Sequence, residues 1–403
     1  MANPLLDFSD LPLFDQIRPE HVAPAIDDLL GGAEAGLEAA VAPELPADWA
    51  TLARTLDVAT ERLGRAWGAV SHLNAVMDTP ELRAAYNAAL PAITEFWTRL
   101  GSDERLYAKY KAMNPDALTP EQRQAHKNAL RGFVLGGAEL QGEAKARYAA
   151  IQERQAELGQ KFSENALDAT DSYAYYATEA ELAGVPPDVQ AAARAAAEAD
   201  GKAGYKLTLK LPSYLPVMQF AHDGALRQRL YRAYVTRASD QAEGDGVKYD
   251  NAPLIREILA LRREEAQLLG YANFGEVSVV PKMADSPTEV IDFLRQLAAK
   301  ARPYAERDVQ DLRDFAAKEL QLADPQPWDW AYIGEKLKEA RYAFSEQELK
   351  QYFQAPKVLA GLFKIVETLF EVAIRRDSAP VWHTSVEFYS IERDGKLLGH
   401  FYL

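Results

Sequence analysis

Lys206-Leu-Thr-Leu-Lys-Leu-Pro-Ser-Tyr-Leu-Pro-Val-Met-Gln-Phe220 is the stretch on which the reading of the fold turns. Leu207, Leu209 and Leu211 alternate with Thr208 and Lys210, the period of a strand with one face buried. Pro212 and Pro216 bring no amide hydrogen to a ladder, so regular pairing is expected to stop there. An alanine- and arginine-rich helix follows, through Leu226-Arg227 and Leu230-Tyr231 to Arg237-Ala-Ser-Asp240. The pattern predicts a strand, a proline-fixed crossing and a helix, set as a hinge between two bodies.

Upstream, nearly everything from Pro19 to Asp168 reads as helix. Thr79-Pro80-Glu81 opens one, with Thr79 as cap and Pro80 in the first turn. Leu82, Tyr86, Leu90, Ile93 and Trp97 recur at helical spacing, and Pro91 is expected to kink that helix. Thr119-Pro120-Glu121-Gln122 carries capping-box chemistry, and a long helix runs from about Glu143 to Leu167. Tyr173–Tyr176 and Tyr205–Leu211 have strand character. Paired as a hairpin, they carry the alanine-rich helical insert Glu179–Asp200, closed by Gly201.

Downstream, Gln241-Ala-Glu-Gly-Asp-Gly246 reads as a loop and helices resume near Pro253. Ser286-Pro287-Thr288-Glu289 is the clearest helix start, followed by an apolar stripe of Val290, Phe293, Leu294 and Leu297. Ser345 and Glu348 repeat the capping box before Leu349, Tyr352 and Phe353. The tail changes character. Val386–Ile391 is strand-like, Asp394-Gly395 is a two-residue turn signal, and Leu397–Leu403 returns as a second strand. Three apolar residues, Phe401-Tyr402-Leu403, stand last, an open strand of the kind that complete proteins avoid. The expectation is an N-terminal piece of a longer polypeptide whose segment Val386–Leu403, short of partner strands, is its least supported part. No fixed period of about 20–50 residues marks a solenoid. The predicted fold is mainly α, a large multi-helix body with a few short β-hairpins. It divides into a helical region 1–170, a strand–helix–strand and crossover segment 171–240, and a second helical region 241–403 ending in an incomplete β-hairpin.

Composition excludes several function classes. The chain has 403 residues, ample for a large core, with 48% hydrophobic and 26% charged side chains. Sixty acidic against 45 basic residues give a net charge of -15, which disfavours nucleic acid and anionic membrane surfaces. There is no cysteine, so disulfides and thiolate metal sites are ruled out. The start, Met1-Ala-Asn-Pro-Leu-Leu-Asp-Phe-Ser-Asp10, holds acids where a secretory signal needs bases. No apolar run approaches the ~18–20 residues that span a bilayer. The expected location is cytoplasmic.

Several patches share one resemblance: Asn3-Pro-Leu-Leu6, Pro19-Glu-His-Val-Ala-Pro24, Val70-Ser-His-Leu-Asn74, Asn165-Ala-Leu-Asp-Ala-Thr170, Lys282-Met283-Ala284 and Trp328-Asp329. With Lys206–Asp240 they resemble, in order from end to end, the thimet-oligopeptidase family of zinc metallopeptidases. The resemblance implies two mostly helical lobes around a deep channel, which admits short peptides and keeps folded proteins out. It implies hydrolysis by zinc-activated water, with the glutamate of a His-Glu-x-x-His motif taking the proton. In the family that motif lies beyond Leu403. One zinc ion is therefore expected in the full-length enzyme and none on residues 1–403, whose partners are short peptides and the C-terminal catalytic half.

The residues agree with that expectation. Two histidines one helical turn apart are needed to grip zinc from one side. Of the six histidines, His21, His72, His126, His222, His383 and His400, no two stand within four residues. There is no Gly-x-Ser-x-Gly elbow, and the glycine-containing run from Gly137 to Gly142 is followed by Glu143 where a phosphate loop needs lysine. No catalytic or metal residue is assigned, and the chain alone is predicted inactive. Two local clusters invite functional readings. Ser71-His72-Leu73-Asn74 makes His72 and Asn74 candidates for the substrate-channel wall; the plainer alternative is a satisfied polar cluster between helices. Trp328-Asp329-Trp330-Ala331-Tyr332 reads as an aromatic platform or, more plainly, as a helix cap with buried tryptophans. The competing view of the whole chain is a non-catalytic helical peptide-binding or scaffold protein using the same fold.

Overall fold

The computed structural model describes residues 3–343 and 349–403, so the Ser345–Glu348 capping box lies outside the described residues. The helices in chain order are α1 (Pro19–Val41), α2 (Trp49–Leu52), α3 (Val58–Val76), α4 (Pro80–Gly101), α5 (Glu104–Ala112), α6 (Pro120–Leu135), α7 (Gly142–Asp171) and α8 (Pro187–Ala199). They continue as α9 (Leu211–Phe220), α10 (Gly224–Thr236), α11 (Ala252–Leu268), α12 (Phe274–Val279), α13 (Pro287–Glu319), α14 (Trp330–Tyr342) and α15 (Ala355–Phe370). The strands are β1 (Tyr175–Ala177), β2 (Tyr205–Leu207), β3 (Ala373–Asp377), β4 (Phe388–Arg393) and β5 (Lys396–Tyr402). The fold is mainly α. No helix among the described residues is long and apolar enough to cross a membrane. The chain divides into two compact units built from discontinuous segments.

The first unit comprises Met1–Glu157, Leu261–Met283 and Leu359–Leu403. Its main core joins Val22, Ile26 and Leu29 of α1 to Leu63, Val70 and Leu73 of α3 and to Leu82, Ile93 and Phe96 of α4. Thr79 starts α4 as its sequence requires, accepting the Leu82 amide at 3.3 Å. The stripe is turned by one residue at its end: Phe96 is buried and Trp97 is 38% exposed. Thr119 and Gln122 exchange both capping-box bonds, at 3.3 and 3.0 Å.

The tail of this unit corrects the expected lone hairpin. β3, β4 and β5 form one antiparallel sheet with β4 in the middle. β3 carries no strand signal of its own, because Arg375, Arg376 and Asp377 give it a polar sequence with no alternation. The β4–β5 turn is the expected Asp394-Gly395, both in the left-handed region (φ 51° and 73°), as a two-residue turn of the mirror type demands. Ile391 pairs with Gly399 but Glu392 with Leu397, leaving Leu398 as a bulge. Pairing reaches the last residue, since Glu387 and Leu403 exchange bonds of 2.9 and 2.8 Å. Val386–Leu403 is thus well supported on its β3 side.

The second unit comprises Leu158–Ala260 and Ala284–Val358. β1 pairs antiparallel with β2, Tyr175 opposite Leu207, and carries α8 between them as the sequence predicts. Its core joins Leu182, Val185, Leu207, Val217, Met218, Leu226 and Leu230. The proline segment is the larger correction. β2 ends at Leu207, the Ser213 hydroxyl takes the Thr208 amide at 3.0 Å, and Leu211–Phe220 is helix instead of an extended crossing. Pro212 sits in the first turn, where its missing donor costs nothing, and Pro216 removes a single bond. Leu211 accordingly leaves the buried set and is 58% exposed.

Gly184 explains how α9 closes on the strand–helix insert. At φ +90° it lies so close to the end of α9 that a Cβ would sit 2.4 Å from the Phe220 carbonyl oxygen and 2.5 Å from the His222 ring. The Ala183 carbonyl accepts the His222 amide there, at 2.8 Å. α13 begins at Ser286, whose hydroxyl accepts the Glu289 amide at 3.1 Å. The Glu289 carboxylate accepts from the Asp285 amide at 2.7 Å, one residue earlier than a capping box has it. The stripe behind this cap is bare: Val290, Phe293, Leu294 and Leu297 are 37, 64, 54 and 53% exposed.

Candidate functional site

His72 and Asn74 lie near the C-terminal end of α3, beyond the buried positions Ala69 and Val70. The His72 ring stands edge-on to Trp382, with centroids 4.2 Å apart, and 5.5 Å from Phe14. Phe14 contacts Trp382 and Tyr402 at 5.1 and 5.7 Å, and Phe388 contacts Tyr402 at 4.8 Å. The first unit therefore joins its N-terminal loop, α3 and its sheet through one aromatic cluster. Such ring pairs stabilise beyond their buried area. Nε2 of His72, Oδ1 of Asn74 and the Tyr402 hydroxyl are buried with no hydrogen-bond partner among the described residues. Two residues turn about 200° on a helix, so His72 and Asn74 leave α3 in different directions.

The Trp328–Tyr332 cluster is resolved differently from either sequence reading. Asp329 stands at the start of α14 but its side chain does not cap the helix. Its Oδ1 accepts from Nη2 of Arg227 at 2.6 Å, with both side chains 4% exposed, and its Oδ2 accepts the Gln326 amide at 2.9 Å. Arg227 also donates to the Ala221 and His222 carbonyls at 2.6 and 3.2 Å and lies 4.3 Å from the Tyr332 ring centre. These partners engage both terminal nitrogens of Arg227 and leave its Nε unpaired among the described residues, in a charge pair whose desolvation is costly. The arrangement holds α10 to α14 within the second unit, while Trp328 and Trp330 are only half-buried.

A cavity of about 520 Å³ lies within the second unit along α10. α10 buries Leu226, Arg227 and Leu230. Its other face presents Ala225, Gln228, Arg229, Arg232, Ala233 and Thr236 to the cavity, at the i, i+3, i+4, i+7 spacing of one helical side. Tyr173 and Leu209 close one wall, and Glu243 and Asp245 another. Arg232 donates to Glu243 at 2.8 Å. Arg237 donates to the Tyr234 carbonyl at 2.7 Å and lies 3.8 Å from that ring's centre. Tyr234 in turn stacks on Tyr214 at 4.2 Å, and burial first, then the neighbouring tyrosines, pushes the Tyr214 phenol up to about 12. Burial likewise raises the Tyr173 phenol, against the opposing charge of Arg229. The sequence marked this helix as arginine-rich; which arginines face the cavity follows only from the helical phase set by Leu226 and Leu230.

Among the described residues no three histidine, aspartate or glutamate side chains are grouped to hold a metal ion. With no His-Glu-x-x-His in the sequence either, the residues present do not fit a catalytic zinc site.

Comparison with known proteins matches residues 217–403 to Peptidase family M3 and residues 27–145 to the Neurolysin/Thimet oligopeptidase N-terminal domain. Over its full length the chain is 44% identical to Oligopeptidase A of Salmonella typhimurium and of Escherichia coli, covering 60% of each. It is 37% identical to the organellar Oligopeptidase A of Arabidopsis thaliana, covering 52% of it. The chain thus spans little more than half the length of these relatives.

Proposed function

Because the chain belongs to the thimet-oligopeptidase family, Peptidase family M3, we propose that residues 1–403 are the N-terminal part of an oligopeptidase A-like enzyme that hydrolyses short peptides. The observation that carries this is identity of 44% along the whole chain to relatives that extend well beyond it. In this reading the helical units contribute channel wall that limits substrate size, with His72 and Asn74 as candidate wall positions. Zinc and the glutamate that activates water belong to polypeptide outside residues 1–403, and no chemical step is assigned to a side chain here. The partners are short peptides and that catalytic half, and the protein works in the cytoplasm.

Exposed apolar surface supports the reading. Soluble proteins rarely leave contiguous apolar faces bare unless something covers them. Val290, Phe293, Leu294 and Leu297 line one side of α13, and Leu362, Ile365, Leu369 and Phe370 of α15 are 50–71% exposed.

The test compares purified residues 1–403 with the polypeptide extended to the relatives' length. The extended form is expected to bind one zinc and cleave short peptides, and residues 1–403 to do neither. Stoichiometric zinc on residues 1–403 together with peptide cleavage would refute the proposal. So would a coding sequence that stops after Leu403 and yields a stable, non-catalytic product.

A further inference from the structure

The geometry points to the cavity along α10 as a binding site for a carboxylate carried on a peptide, held by Arg229 and Arg237. This deepens the peptide-handling reading above and rests on it. The chain as a whole carries a net charge of -15, so a concave surface offering three guanidinium groups runs against its average. Their partners differ. Arg232 is neutralised by Glu243 at 2.8 Å. Arg229 makes no ion pair within 4.0 Å among the described residues, although its charge helps to lower the Glu181 carboxyl; its guanidinium lies 4.7 Å from the centre of the Tyr175 ring. Arg237 spends one nitrogen on the Tyr234 carbonyl and rests on the Tyr234 ring.

Stacking on a ring fixes a guanidinium's plane while leaving its edge free, and that edge matches a carboxylate in a two-point bond. Arg229 and Arg237 are thus held in place before a ligand arrives, which lowers the ordering cost of binding. Charge balance selects among anions. The lining itself holds three arginines and two acids, Glu243 and Asp245, an excess of one positive charge among the residues that a ligand would touch. That suits a monoanionic carboxylate; a dianionic phosphate would meet repulsion from both acids. Leu209, Ala225 and Ala233 supply apolar wall for a short, uncharged chain behind the carboxylate. A volume of about 520 Å³ accommodates two or three small residues.

The experiment measures binding to the 1–403 chain by ligand-observed NMR, with N-acetyl-trialanine as free acid, the same peptide as its C-terminal amide, and inorganic phosphate. The free acid is expected to bind about tenfold more tightly than the amide, the factor a charge-assisted bond supplies. Arg229→Met should reduce the free acid to the amide's affinity with an unchanged unfolding midpoint, since this side chain is exposed. Arg229→Lys should fall between, keeping charge without the planar edge. Arg237→Met should weaken the free acid as well. Equal binding of acid and amide, absence of binding by both, tighter binding of phosphate than of the acid, or an Arg229→Met chain that binds as before would each overturn the assignment. The readout is binding and not turnover. If the extended polypeptide cleaves peptides while acid and amide bind residues 1–403 alike, the cavity assignment falls and the peptidase reading stands. If the acid binds selectively while no extended form cleaves peptides, the reverse holds.

Discussion

α4 and α13 begin with the same chemistry and end in opposite surroundings. Each opens on a hydroxyl cap, a first-turn proline and a glutamate: Thr79-Pro80-Glu81 in one, Ser286-Pro287-Thr288-Glu289 in the other. Each carries an apolar stripe at helical spacing. On α4 the stripe is covered, with Leu82, Ile93 and Phe96 in the core of the first unit. On α13 Val290, Phe293, Leu294 and Leu297 stay in contact with solvent. Caps and periodicity are local and make a helix with a sided face; they do not supply what lies against that face. The difference teaches that one local pattern serves a covered helix face in the first unit and an uncovered one in the second.

The contrast can be broken by substitution. Phe96→Ala should destabilise the chain by about 3–5 kcal/mol in urea unfolding, the cost of emptying a filled aromatic site. Asp329→Ala tests whether the unit that carries the bare stripe is nonetheless firmly built. It leaves the Arg227 charge buried, so a loss of about 3–5 kcal/mol is expected, and a neutral result would show that the unit is loosely held. Gly184→Ala, forced into the Phe220 carbonyl at positive φ, should cost more than about 1 kcal/mol and lower the midpoint of the same transition. Thr79→Ala and Ser286→Ala should cost about 1 kcal/mol each, because the cap bond is the same whether the stripe behind it is covered or bare. Unequal losses would show that packing, and not the cap, sets these helix starts. Phe293→Ala should change stability by less than about 0.5 kcal/mol in residues 1–403.

Much of this fold was legible in the sequence where the deciding chemistry is local. Thr119 with Gln122, Asp394-Gly395, and the strand–helix–strand insert around α8 all lie where their residues direct. Elements decided by tertiary context were not. Pro212 and Pro216 read as breaks in pairing, yet α9 forms because one proline falls in the first turn and the buried Val217 and Met218 outweigh the bond lost at the other. β3 was hidden because its residues are polar, and its place comes from pairing with β4. Asp329 was assigned to a helix cap, but Arg227, 102 residues away, claims its carboxylate. The site was legible only in part. His72 could be singled out as a polar residue among apolar ones, but its aromatic surroundings come from Phe14 and Trp382, distant in sequence. Arg229 and Arg237 carry no motif at all: the burial of Leu226 and Leu230 on the far side of α10 turns Arg229 to the cavity, and Arg237 reaches it where the chain leaves the helix at φ -57° and ψ 144°.

The most direct test of the account is the rate of thiol labelling at a single introduced cysteine, Phe293→Cys, in a chain that has no other. Labelling would be read by peptide mapping in residues 1–403 and in the polypeptide extended to the relatives' length. Rapid modification in the shorter form and strong protection in the longer one is the expected result. Equal, rapid labelling in both would contradict the proposal that the extended polypeptide covers the α13 face.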